Sequence, residues 1–144
     1  MNVWKLREDV VLAVRECCTQ AGEDTWIWVG VDESCVVPAE FVRDGAIALD
    51  ITDDAVAEFE ISQGVLSFYA SFGNDPTDVL VAVPLSRIGL VGPATAPTEG
   101  VSFRIMETPA ALKSKVEEMK RPAETEAEKP AVAATEFRRP MRIK

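Results

Sequence analysis

Apolar side chains recur along this chain with two different periods. Over residues 3–21, Val3, Leu6, Val10, Val14, Cys17 and Ala21 are spaced by three and four, and Gly22 closes the run. That spacing predicts an α-helix. A second strip, Trp4, Val11 and Cys18, falls on another side of the same helix. One face packs on the domain; the other meets a partner, or the whole helix is buried more deeply. Val3, Leu6, Val10 and Val14 are the candidate dimer contact.

Downstream the period falls towards two. Aromatic and β-branched residues bounded by turn signals predict strands over residues 25–31, 46–51, 59–61, 65–72, 79–83, 88–91 and 101–105. Asp44-Gly45 marks a tight turn, and Thr52 reads as the cap of one helical turn over residues 55–57. Strands this close together leave no room for crossover helices. The expected fold is mainly β with one N-terminal α-helix, a small curled antiparallel sheet or open barrel, and a disordered C-terminal tail.

At Glu107 the composition shifts to Lys, Glu, Ala, Thr and Pro. Lys113 and Glu117 stand four apart, as in a transient helix over residues 110–120, which Pro122 would stop. The organisation expected is a folded body over residues 1–106, a flexible linker over 107–137 and a terminal peptide over 138–144. A linker of about 30 residues has a root-mean-square span of roughly 30 Å. The terminal peptide, Arg138, Arg139, Pro140, Met141, Arg142, Ile143 and Lys144, combines four cations with a proline and two spaced hydrophobes. Short peptides that dock in another protein's groove are built this way.

Charge sharpens the division. The chain carries a net −9. Residues 1–106 hold 6 basic and 17 acidic side chains, a net of −11, whereas residues 107–144 hold 9 and 7, a net of +2. An acidic body repels phosphate backbones, so nucleic-acid binding is not expected. No run of 18 apolar residues predicts a spanning helix, and the first residues lack a signal-peptide plan, so a cytoplasmic protein is expected.

Chemistry is sparse. The chain has no histidine, which removes the commonest general base and metal ligand. Cys17, Cys18 and Cys35 lack metal-ligand spacing and read as small hydrophobes in a reducing compartment. Asp53 with Asp54, or Glu58 with Glu60, could pair as catalytic carboxylates, but such acids on turns and exposed strands are ordinarily solvated charge. Neither enzyme activity, nor a metal, nor a cofactor is expected.

Four segments carry a resemblance. Val37 to Ile51, with Val37-Pro38, Glu40-Phe41, Arg43-Asp44-Gly45 and Ile47, comes first. Ser67 to Gly73 and Val83-Pro84-Leu85 follow in order, and Arg139 to Lys144 ends the chain. Together they resemble the stringent starvation protein B (SspB) family, adaptors of the ClpXP protease. The resemblance implies an N-terminal helix on a compact β-body, a homodimer formed through that helix, and a groove for the ssrA tag of stalled translation products. It implies that residues 138–144 bind the N-terminal domain of the ClpX unfoldase. The implied groove residues are Val56, Phe68, Ala70, Ser71, Phe72, Gly73 and Asn74. Read from the residues alone, Phe68 and Phe72 are equally well placed in an ordinary core. Ser71 stands where the family pattern has Arg, Tyr69 where it has Asn, and the final segment is one residue short. The alternative is a module of the same fold that delivers a different, non-ssrA substrate or partner.

Overall fold

A computed structural model describes residues 2–128 of the chain. Helix α1 (Val3–Gln20) begins at Asn2, whose side chain accepts hydrogen bonds from the amides of Trp4 and Lys5 at 3.0 and 3.1 Å. It ends where Gly22 adopts φ +73°, letting the amides of Gly22 and Glu23 bond back to Thr19 and Cys18. This left-handed exit satisfies carbonyls that the last turn would otherwise leave open.

Seven strands follow: β1 (Thr25–Gly30), β2 (Ala46–Asp50), β3 (Ala57–Ser62), β4 (Val65–Ala70), β5 (Val79–Pro84), β6 (Ile88–Pro93) and β7 (Val101–Ser102). They form two antiparallel sheets, ordered β2-β1-β6-β7 and β3-β4-β5, that do not close into a barrel. Two tight turns set the local register. Asp44 and Gly45 have φ of 54° and 73°, and Gln63 and Gly64 have φ of 53° and 83°. Paired positive φ values are the signature of the two-residue turn whose twist matches the strands.

The core lies between the sheets. Ile27, Val29, Ile47, Leu49, Ile88 and Val91 meet Leu66, Phe68, Ala70, Val81 and Val83, and Val11 of α1 joins them. On α1 the inward face is therefore the strip containing Trp4, Val11 and Cys18. Arg7 sits in that strip and is buried, because its guanidinium donates to the carbonyls of Leu85 (2.8 Å) and Arg104 (2.6 Å) and lies 4.9 Å from the Phe103 ring. A charge inside an apolar strip is tolerated where carbonyls replace its water.

The outer face of β4 and β5 is apolar too. Val65 and Ala82 are fully buried, and helix α2 (Ala110–Glu128) covers them with Leu112 and Val116, while Met119 packs alongside. The sequence predicts a helix from residue 110 as the start of a linker, with Pro122 ending it. The structure instead packs its first turns on the sheet and carries the backbone past Pro122. Leu112, Val116 and Met119 lie at spacings of four and three on one face, a stripe that a polar composition hides. A proline costs a helix one hydrogen bond and need not end it where good helix formers follow.

Two smaller differences have local causes. The turn after β2 is a 3₁₀ turn at Asp53–Ala55, and Thr52 does not cap it; its hydroxyl accepts the Thr25 amide at 2.9 Å. Residues 103–106 leave the regular ladder after β7, since Arg7 and Arg87 take the carbonyls of Arg104 and Met106.

Leu112→Ala should lower the free energy of unfolding by about 2–4 kcal/mol, the cost of a cavity over Val65 and Gly64. Urea denaturation measures it; an unchanged midpoint would show that α2 is not part of the cooperative body.

Candidate functional site

Register places three residues in a row at one end of the β3-β4-β5 sheet. Val79 pairs with Ala70, and because Ala57 pairs with Tyr69, the antiparallel count sets Val56 beside Ala70. Beyond this row the chain turns, and Phe72 packs its ring 5.9 Å from that of Phe41. Gly73 follows with φ +61°, where an added Cβ would stand 3.1 Å from the Phe41 ring. The positive φ favours glycine, and a side chain there would also press on the Phe41 ring. The two segments that carry the family pattern around Pro38 and Phe72 thus meet in three dimensions.

They border a cleft of about 220 Å³ lined by Val37, Pro38, Glu40, Phe72, Asp75, Thr77, Val79 and Leu80. Its wall includes an open strand edge. Ala82 exchanges both backbone hydrogen bonds with Val36, at 2.8 and 2.9 Å. Backbone groups alternate sides along a strand, so the amide and carbonyl of Leu80 face the same way. The residue that would continue the pairing is Pro38, which has no N–H to give. Among the described residues nothing pairs with that edge of Leu80. An apolar floor beside a free edge is the arrangement that takes an extended peptide as an added strand.

The residues expected in a groove are distributed unevenly. Phe68 is 1% exposed and belongs to the core, and Ala70 is 7% exposed at its rim. Val56 and Phe72 are half-buried at the cleft end; Ser71, Gly73 and Asn74 are exposed on the loop after β4. The cleft adds Val37, Pro38, Glu40, Asp75, Thr77, Val79 and Leu80, which sequence reasoning did not include. The signal was there in Pro38, which cannot close an edge.

On α1, Val3 and Leu6 are exposed and Val10 is half-exposed, whereas Val14 packs against the core. The same helix borders a hollow of about 330 Å³ with Ala13, Cys17, Pro93 and Val101 among its walls. Residues 138–144 lie outside the described residues.

A polar network holds the segment that leads into the cleft. Asp32 Oδ1 accepts from the amide and hydroxyl of Ser34 at 2.9 and 2.5 Å, and Arg87 lies 3.4 Å from Asp32 Oδ2. Arg87 also donates to the Gly30 and Met106 carbonyls, at 2.8 and 3.1 Å. The Thr108 hydroxyl lies 3.1 Å from that of Ser34 and 2.8 Å from that of Ser86. Burial alone would raise the Asp32 carboxyl, but the Ser34 bonds and then Arg87 outweigh it and hold it below the ordinary carboxylate range. Burial pushes the nearby Cys35 thiol upward, away from thiolate reactivity. The network is structural: it fixes residues 30–36 against the arm that leads to α2.

The family described as SspB, stringent starvation protein B, matches residues 5–141 of the chain. No curated protein matches it.

The depressed Asp32 carboxyl stabilises the fold above its unfolded value near pH 4, and that contribution is lost as pH falls through the lower folded value. Asp32→Asn should therefore cost about 1–3 kcal/mol at pH 7. The gap between variant and parent should narrow below roughly pH 4 in denaturation curves taken across pH; a gap independent of pH would contradict the assignment.

Proposed function

The chain belongs to the stringent starvation protein B family, and from that membership we propose that it is a non-catalytic protease adaptor. It captures ssrA-type degradation tags in the cleft beside Leu80 and tethers the tagged polypeptide to ClpXP through residues 138–144. The observation that carries the reading is the open edge of β5 at Leu80, set over the apolar residues Phe72 and Val79 and kept open by Pro38. Main-chain hydrogen bonds to such an edge supply affinity, and the flanking side chains supply selection.

The proposed mechanism is concentration rather than chemistry. Residues 138–144 hold the unfoldase, Met141 and Ile143 filling apolar pockets and Arg139, Arg142 and Lys144 meeting acidic rims. A tag in the cleft is then presented at an effective concentration on the order of millimolar. Two weak contacts become one productive one. The proposed dimer, formed through the outer face of α1, would double the tails and add avidity. Val3, Leu6 and Val10 are the residues of that face open to a partner, while Val14 supports it from the core side.

The second reading is a module of the same fold that delivers a different cargo. The exposed Ser71, which offers no charge where the family pattern has Arg, favours it. Fluorescence anisotropy with a labelled ssrA peptide separates the two: saturable binding weakened tenfold or more by Leu80→Pro supports the first, and no binding at high micromolar peptide supports the second.

Deleting residues 138–144 should leave the body folded and abolish binding to the ClpX N-terminal domain; undiminished affinity in calorimetry would refute the tethering role. Val10→Glu should convert a dimer to a folded monomer, read as mass by light scattering, because Val10 faces outward. An unchanged dimer mass would move the interface elsewhere.

A further inference from the structure

We infer that residues 138–144 also dock in the chain's own cleft beside Leu80 and occupy it when no tag is bound. The inference rests on the reading of the cleft as a peptide groove.

The body has already committed most of its cations. Arg7, Arg15 and Arg87 turn to backbone carbonyls of the body and Lys5 pairs with Asp9, while Arg43, still charged, donates to the carbonyls of Glu40 and Val42. The residues that line the cleft include the carboxylates of Glu40 and Asp75 and no Lys or Arg, beside an apolar floor, on a body whose net charge is −11 over residues 1–106. The strongest local concentration of opposite charge on the chain is its last seven residues, with four cations and no acid.

The pattern fits as well as the charge. In an extended backbone successive side chains point to opposite faces. Met141 and Ile143 then share one face, and Arg142 and Lys144 share the other. A strand laid along the Leu80 edge would turn the apolar pair to Phe72 and Val79 and the basic pair to the rim. Pro140 lacks only an N–H, which an edge strand tolerates on its outer side.

Reach does not limit the contact. Twelve residues, or thirteen Cα-to-Cα steps, separate Glu128 from Met141, and at up to about 3.3 Å a step they span roughly 43 Å. A body of about 100 residues has a radius of gyration near 13 Å, so the extended segment is longer than the body is wide. At an effective concentration on the order of millimolar, an affinity of only about 1 mM half-fills the cleft. The hollow beside α1 is also apolar with carboxylates at its rim, but it borders the helix face assigned to the second copy.

The consequence is coupling. Cargo and self-peptide compete for one edge, so capture of residues 138–144 by the unfoldase would free the cleft, and by linkage an occupied cleft would release the terminal peptide to the unfoldase.

The test uses the full chain and its Arg139→Glu/Arg142→Glu variant, compared by ¹⁵N–¹H spectra without added peptide. Self-docking predicts amide shifts confined to Thr77, Leu80 and the Phe72 loop, which vanish as salt rises to about 0.5 M. It also predicts that the variant binds an ssrA probe about twofold tighter, the change expected when half-occupancy is relieved. Coincident cleft resonances in the two proteins would overturn the inference without touching tag binding, as would shifts located instead around Ala13 and Cys17. Shifts that depend on protein concentration would place a second copy's peptide in the cleft and overturn the intramolecular form. A chain that shows self-docking yet ignores the ssrA probe would keep this inference and sink the tag reading.

Discussion

A three-stranded sheet that is apolar on both faces must be covered on both faces, and the rest of this structure follows from that demand. β4 and β5 turn Leu66, Phe68, Val81 and Val83 towards the other sheet and Val65 and Ala82 away from it. The second face has no sheet to meet, so the chain returns after β7 and lays α2 across it. At roughly 25 cal/mol per Å² of apolar surface, leaving that face wet would cost several kcal/mol, a large part of the stability of a domain this size. The covering is incomplete at one place. The bridge from Val36 stops at Ala82, Pro38 cannot extend it, and the edge of Leu80 stays open. The cleft is what the described residues leave uncovered beside that edge.

Bringing α2 back requires residues 103–108 to cross the body without regular pairing, which leaves carbonyls to satisfy. Arginine does this work. Arg7 binds the carbonyls of Leu85 and Arg104, and Arg87 those of Gly30 and Met106, with Asp32 balancing its charge. Burial lowers the Arg7 pKa yet leaves it a cation, because carbonyl oxygens take the place of water around it. The same commitment shapes the surface. Cations drawn inward to hold the arm are unavailable outside, and the exterior is left acidic. An acidic exterior with a basic terminal segment is thus one arrangement rather than two, and self-docking draws on it directly.

Much of this was legible in the sequence, for identifiable reasons. Strand positions follow from period-two alternation and turn residues, and Asp44-Gly45 and Gly64 mark turns that the observed positive φ values require. The end of α1 is written in Gly22. What misled was chemistry that depends on a distant partner. Arg7 interrupts the apolar strip that proves to face the core, and nothing nearby in sequence announces the carbonyls of Leu85 and Arg104. Leu112, Val116 and Met119 are the only three large apolar residues in a Lys- and Glu-rich stretch over residues 110–120, and their face acquires meaning once the outer surface of β4 exists to receive it. At the candidate site, the motifs around Val37-Pro38 and Phe72-Gly73 were visible. The role of Leu80 was not, because an open edge is a property of what fails to pair.

The loop after β4 shows why motif spacing alone overestimates a groove. Phe68 and Phe72 are four apart and would share one face of a continuous strand, but β4 ends at Ala70 and separates them. Phe68 stays under the sheet, 1% exposed, while Phe72 is carried out to stack on Phe41. The glycine that follows favours the departure: its φ of +61° turns the chain against the Phe41 ring, where an added side chain would be strained and would crowd the ring. A substitution at Gly73 would therefore act on the cleft through Phe41 and Phe72 without touching a bound peptide. The reading surface is set by the backbone geometry of the loop, and the side chains named by the family pattern are of two kinds, those that build the floor from beneath and those that meet what lies upon it.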